Sequence, residues 1–229
     1  MYSVFRVVSY FCFLLVFDFF LCFFDHSRIA QKSISLVERF DVAARIPEIY
    51  SAVHGRIAWR FEPFHSGAES LRRGFEAGLS HGDSDMGLHC ANYAIKNLIL
   101  CGANLRSLLK EIDYYLHLSK KYTNVMAINY LLNYRETVST LIDKGHATSI
   151  EAKAAFSPSG DELGESAALV QQAIRAYWLG HTERCNYFME RCLSSPLIGQ
   201  PYQFNTCIIK FYRGKEADVT LETMKDAIS

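Results

Sequence analysis

FEAGLSHGDSDMGLHCANYAIKNLILCG at 75–102, followed by NLRSLLKEIDYYLHLSKKY at 104–122, decides the fold. Within the second stretch Leu105, Leu108, Leu109, Ile112, Tyr115 and Leu116 fall on one helical face. Arg106, Lys110, Asp113 and His117 fall on the other. That 3.6-residue period is the mark of an amphipathic helix. In the first stretch Gly82 can adopt the left-handed conformation that ends a helix, and Asp83 is a ready N-cap for the next one. Cys101-Gly102 ends that next helix in turn. The expected order is helix, tight turn, helix, tight turn, helix.

The same texture extends outward from this stretch. Segment 29–40 places Ile29, Ser33, Leu36, Val37 and Phe40 on one face. Pro47 opens a helix carrying Ile49, Val53, Ile57 and Phe61, which Pro63 ends. A third helix from Phe64 carries Ala68, Leu71, Phe75, Gly78 and Leu79, with Gly74 and Gly78 in its interior. Interior glycines weaken a helix by about 1 kcal/mol each, so they predict a close approach by a facing backbone. The fourth helix has Ala91, Ala94, Ile95 and Leu98 inside, against His89, Asn92 and Lys96 outside. A sixth runs from Val125 to Ile142 on Ala127, Leu131, Tyr134, Val138 and Leu141.

Sliding the third helix onto the fifth pairs Ala68, Leu71, Phe75, Gly78 and Leu79 with Leu105, Leu108, Ile112, Tyr115 and Leu116, an offset of 37 residues. The same offset pairs Leu88 with Val125, Ala91 with Ile128, Ala94 with Leu131 and Ile95 with Leu132. One shared offset across two helix pairs predicts a repeat. Residues 145–166 lose the period and read as a flexible connection. Residues 167–214 resume helical hairpins, with Ala167, Val170, Ile174 and Tyr177 on one helix, and Cys185, Phe188, Met189 and Cys192 on the next. NTCIIKFYRG is a candidate final helix, and 215–229 is a tail.

The first 24 residues differ in kind, being Phe-rich and nearly uncharged. Residues 7–24 would form a helix about 27 Å long, close to a hydrocarbon core, with Arg6 as a positive flank and Asp18 as a costly interruption. The readings are a membrane anchor or uncleaved signal, a buried first helix of the array, or a mispredicted start. Membrane association through 7–24 is therefore one expectation. For residues 26–229 the expectation is cytoplasmic. Seven cysteines include no CxxC pair, and an odd count argues against a disulfide framework.

Formal net charge is zero, which gives no reason to expect a nucleic-acid surface. His81, Asp83, Asp85 and His89 crowd together, but Asp83 reads as a cap and Asp85 as a first-turn acid favoured by the helix dipole, with both histidines facing solvent. His181, Cys185 and Cys192 lie at i, i+4 and i+11, where the thiols share an apolar stripe with Phe188. Tyrosines 114, 115, 122, 130, 134 and 187 read as packing residues among mixed charges. Trp59 and Trp178 read as inter-helix packing residues. No catalytic residue, cofactor-binding residue or metal site is expected.

Segments 64–142 and 176–214 resemble the tetratricopeptide-like helical region of large multidomain signalling ATPases, which combine a serine/threonine kinase-like domain, an AAA ATPase module, GAF and histidine-kinase domains. The likeness rests on the FEAGLSHGD turn, the turn Cys101-Gly102-Ala103-Asn104-Leu105 and AYWLGHTERC at 176–185, and extends over 30–214. The 37-residue offset departs from the 34 residues of an ordinary tetratricopeptide repeat. The resemblance implies an all-α, tetratricopeptide-like helical-hairpin superhelix that is non-catalytic and binds a protein partner or other domains of a signalling assembly. The alternative it implies is a fragment of a larger ATPase or kinase. This chain has no GxxxxGK[ST], HRD or DFG motif, so no catalytic residue of that family carries over.

Overall fold

Helix ends are set by local chemistry that repeats along the chain. The computed structural model describes residues 26–40, 42–58, 62–143 and 162–194. Its described elements are all helical. They comprise α1 (His26–Arg39), a 3₁₀ turn (Ala43–Arg45), α2 (Ile46–Ala52), a π turn (Val53–Ile57), α3 (Phe64–Ser80), α4 (Ser84–Leu100), α5 (Leu105–Lys121), α6 (Val125–Ile142), α7 (Glu162–Trp178) and α8 (Thr182–Ser194). α7 begins inside the stretch read as a connection. The candidate helix NTCIIKFYRG lies outside the described residues.

Three hairpins, α3–α4, α5–α6 and α7–α8, use one turn design. A three-residue turn follows a first helix of 17 residues in each case. The turn residue with positive φ is Gly82, Thr123 or Gly180. In each turn the next N–H reaches back to a carbonyl in the last turn of the first helix. These bonds are Asp83 N to Gly78 O at 2.9 Å, Asn124 N to Ser119 O at 2.9 Å and His181 N to Ala176 O at 2.9 Å. This is the Schellman pattern, which satisfies carbonyls that the helix leaves open. Asp83 and Asn124 then cap the following helices, accepting from Met86 N at 3.1 Å and Ala127 N at 2.8 Å.

The caps of the first two hairpins fall at a different spacing from the 37 residues read from the apolar pattern. Pro63 and Asn104 precede α3 and α5, and Asp83 and Asn124 precede α4 and α6, each pair 41 residues apart rather than 37. At this spacing all five buried residues of α5 align with buried positions of α3: Leu108 with Gly67, Ile112 with Leu71, Tyr115 with Gly74, Leu116 with Phe75, and Ser119 with Gly78. The two offsets differ by about one helical turn, a slide that leaves an apolar stripe in phase.

Thr123 is the exception among the turns, since a β-branched residue at φ 54° is strained by roughly 1–2 kcal/mol. We expect Thr123→Gly to stabilise the protein by about 1 kcal/mol net of glycine's unfolded-state entropy, raising Tm by about 2–4 °C. Calorimetry of the variant would show an unchanged or lower Tm if the threonine is not strained.

The chain divides into two compact units between Ala103 and Asn104. In the first unit, Ala30, Val37, Ile49, Tyr50, Val53 and Ala58 form one core cluster, with Ile34 and Ile46 against it. Within α1 the buried face is thus Ala30, Ser33 and Val37, and Phe40 is 49% exposed. The hairpin α3–α4 buries Leu71, Leu88 and Ile95 completely, each worth about 1.5–3 kcal/mol of transfer free energy. In the second unit α5 packs on α6, α6 on α7 and α7 on α8. Leu108, Ile112, Leu131, Ile174 and Met189 are among its largest fully buried side chains in the described residues.

The expectation of a membrane-crossing helix, and with it membrane association and a membrane localisation, is corrected. Among the described residues no helix is long and apolar enough to cross a membrane. The physical reason is visible in the longest, α6, whose 18 residues include Asn129, Asn133, Arg135, Glu136 and Thr137. Residues 7–24, on which that expectation fell, lie outside the described residues.

Candidate functional site

The helix read as running from Pro47 to Phe61 changes winding at Val53, where a π turn follows α2; Phe61 and Trp59 lie outside the described residues. Such single turns insert a residue into the α ladder and often mark functional positions. Here the turn abuts α4. A Cβ on Gly55 would stand 2.5 Å from Cδ2 of the Tyr93 ring, so the ring occupies the space that the missing side chain leaves.

Side chains of α4 hold the carbonyls of this turn. Lys96 Nζ donates to Gly55 O at 2.8 Å, and Asn97 Nδ2 donates to His54 O at 3.3 Å. Arg56 Nε donates to Tyr93 Oη at 2.9 Å. The Lys96 ammonium lies 4.6 Å from the Tyr93 ring centroid, a cation–π distance. The His89 ring stands edge-on to the same tyrosine, 4.9 Å between centroids. Arg56, Tyr93, Lys96 and His89 therefore form one polar cluster, joined through Gly55 and His54 to the π turn.

Burial sets the protonation of this cluster. Desolvation, reinforced by the Arg56 charge, brings Lys96 down to about 7. His89 falls to about 4 through burial and the nearby Arg56 and Lys96 charges. Burial and then Arg73 likewise lower His54 to about 4. Its Nδ1 lies 3.3 Å from Glu62 Oε2 without hydrogen-bond geometry, and burial raises the Glu62 pKa. Asn92, also buried, has neither amide atom hydrogen-bonded. A lysine titrating near neutrality can in principle act as a base or nucleophile, but this amine is engaged on a backbone carbonyl. Its chemistry in this structure is that of a clamp between α4 and the π turn.

The sequence-derived candidates separate in the structure. Asp83 is the cap of α4, and His81 is exposed, its Nδ1 2.9 Å from Ala77 O at the end of α3. His89, expected at the solvent, is half-buried in this cluster, because α4 packs against α2 and the π turn as well as α3. Among the described residues, no group of three or more His, Cys, Asp and Glu could hold a metal ion. Cys185 and Cys192 are buried while His181 is exposed. Burial raises both thiols, Cys192 to about 12, which keeps them protonated and unreactive. Trp178, read as a packing residue, is 63% exposed, and Tyr114 and Tyr187 are also exposed. Tyr115 and Tyr134 are buried.

The cluster makes stability depend on acid. The folded pKa values of His54 and His89 lie below the ordinary 6.5, so the unfolded chain takes up protons first as pH falls. Their contribution is complete above about pH 6.5 and is lost between about 6.5 and 4, roughly 1 kcal/mol for each histidine by pH 5.5. Glu62, with its raised pKa, works in the opposite sense when it protonates. Thermal melts from pH 7.5 to 4.5 should show Tm falling, with a shallower fall in His89→Asn. Parallel curves for the two proteins would place His89 in contact with solvent.

Compared with known proteins, the chain matches no family model, no curated protein and no solved structure.

Proposed function

We propose that the chain is a non-catalytic scaffold of tetratricopeptide-like helices that binds a protein partner. The observation that carries this reading is the three hairpins, with a first helix of 17 residues and the same three-residue turn in each. Repetition of one helical unit is how solenoids build extended binding surfaces. Its polar groups support the reading through their tasks: Asp83 and Asn124 cap helices, Lys96 and Asn97 clamp a turn, and Cys192 is held protonated. Exposed Tyr114, Trp178 and Tyr187 supply the amphipathic aromatic surface that interfaces favour.

Affinity purification of the tagged full chain from its own cells, after cross-linking and with quantitative mass spectrometry, tests the proposal. A specific protein recovered in near-stoichiometric amount is the expected result. Recovery of chaperones alone would sink it.

The likeness of AYWLGHTERC and the two Gly-centred turns to the helical region of signalling ATPases favours a second reading. In it the chain is a fragment of a larger ATPase or kinase whose catalytic domains lie elsewhere. Full-length transcript sequencing separates the two: ATPase or kinase motifs in the same open frame select the fragment, and their absence from the mature transcript rejects it.

A further inference from the structure

The outer face of α5 is predominantly basic, with Asp113, its side chain 49% exposed, as the acid within it. Arg106, Lys110, His117, Lys120 and Lys121 are all exposed, and at 100° per residue they fall within one stripe about 22 Å long. The helix's two acids are engaged within the chain. Asp113 pairs with Arg135 of α6 at 2.7 Å, and Glu111 accepts from Tyr115 Oη at 3.1 Å. Among the described residues, none of Arg106, Lys110, Lys120 and Lys121 stands in an ion pair. Tyr114, 52% exposed, borders the stripe.

Helix stability does not explain this arrangement. Lys120 and Lys121 suit the last turn, but Arg106 is a cation in a first turn that has no acid, where the helix dipole disfavours it. Arg106 and Lys110 are also like charges at i and i+4, and like-charge pairs at that spacing weaken a helix. A binding role explains both departures.

We propose that this face of α5 docks an acidic segment of a partner protein, with carboxylates against Arg106, Lys110 and Lys121 and an apolar side chain against Tyr114. This rests on the scaffold reading and names the chemistry of its partner. An acidic peptide fits better than a nucleic acid because the chain as a whole has no net charge, whereas a phosphate backbone requires broad neutralisation.

The test uses the full chain and fluorescence anisotropy of a labelled synthetic peptide built from Glu-Leu-Glu-Ala repeats, beside its Gln-Leu-Gln-Ala counterpart. The Glu peptide should bind at least about tenfold tighter, and its binding should weaken as salt rises, through screening of exposed charges. Lys110→Glu with Lys121→Glu should reduce binding by about tenfold and create binding to a Lys-Leu-Lys-Ala peptide, through reversal of the complementary charge. Lys110→Gln with Lys121→Gln should give an intermediate loss without gaining the Lys peptide. Equal binding of the Glu and Gln peptides, or unchanged binding in the reversed variant, overturns the proposal. Tighter binding of single-stranded RNA, or of phosphatidylserine vesicles, at the same lysines overturns it too. A purified cellular partner that the reversed variant keeps would remove this docking face and leave the scaffold reading standing. Recovery of no partner at all would count against the scaffold reading itself.

Discussion

Gly78→Ala is expected to destabilise the protein by about 2–3 kcal/mol, although alanine is the better helix former by about 1 kcal/mol. A Cβ at this position would lie 2.6 Å from Gly87 Cα and 2.8 Å from both Gly87 N and Asp83 O. All three obstacles are backbone atoms, so no rotamer change relieves them. α3 and α4 would have to separate, straining the turn in which Asp83 N donates to Gly78 O at 2.9 Å. Overpacking of this kind costs about 1–3 kcal/mol and occasionally more, which outweighs the propensity gain. Gly67→Ala is the matched comparison. Its nearest obstacle is Asn97 Nδ2 at 3.2 Å, the end of a side chain, so the change should remain below about 1 kcal/mol. Urea denaturation of both variants checks the contrast, and equal midpoints would show that α3 and α4 do not approach this closely.

The glycine seam illustrates what a sequence can disclose. Gly74 and Gly78 in an otherwise regular helix signalled a close approach, and Gly82 and Asp83 signalled a turn and cap. Those effects operate within a few residues, so local chemistry suffices to read them. The spacing between the first two hairpins was less legible. An apolar stripe matches itself again after a shift of one turn, and only the caps at Asp83 and Asn124 distinguish 41 residues from 37. The π turn was not legible, because it depends on Gly55 meeting the ring of Tyr93, 38 positions later. His89 and Lys96 looked solvent-facing because polar residues usually are. Their partial burial depends on packing between α4 and a segment some 40 residues earlier. Trp178 erred in the other direction, an aromatic residue assigned to packing that stands exposed.

Arg175 shows the same limit and leads to the second large effect. The stripe expected on α7 was Ala167, Val170, Ile174 and Tyr177, yet Tyr177 is exposed and Arg175 retains only 4% exposure. Its Nη1 lies 2.7 Å from Glu136 Oε1 on α6. Its Nε and the Oε1 of Gln171, one turn earlier, are buried without hydrogen-bond partners. The pair is thus asymmetric, a buried cation against a carboxylate whose side chain is 37% exposed. Glu136→Ala leaves the guanidinium buried and uncompensated. Loss of one partner costs about 3–5 kcal/mol in a fully buried pair, and hydration reaching the half-open carboxylate site reduces this to about 2–3 kcal/mol. Arg175→Met should be near neutral, since it removes both the buried charge and the unsatisfied Nε while Glu136 can still meet water. The double variant should therefore recover most of what Glu136→Ala loses. A double-mutant cycle by denaturant unfolding measures this coupling. Additive losses would mean that the ion pair does not join α6 to α7, and that apolar packing alone holds them together.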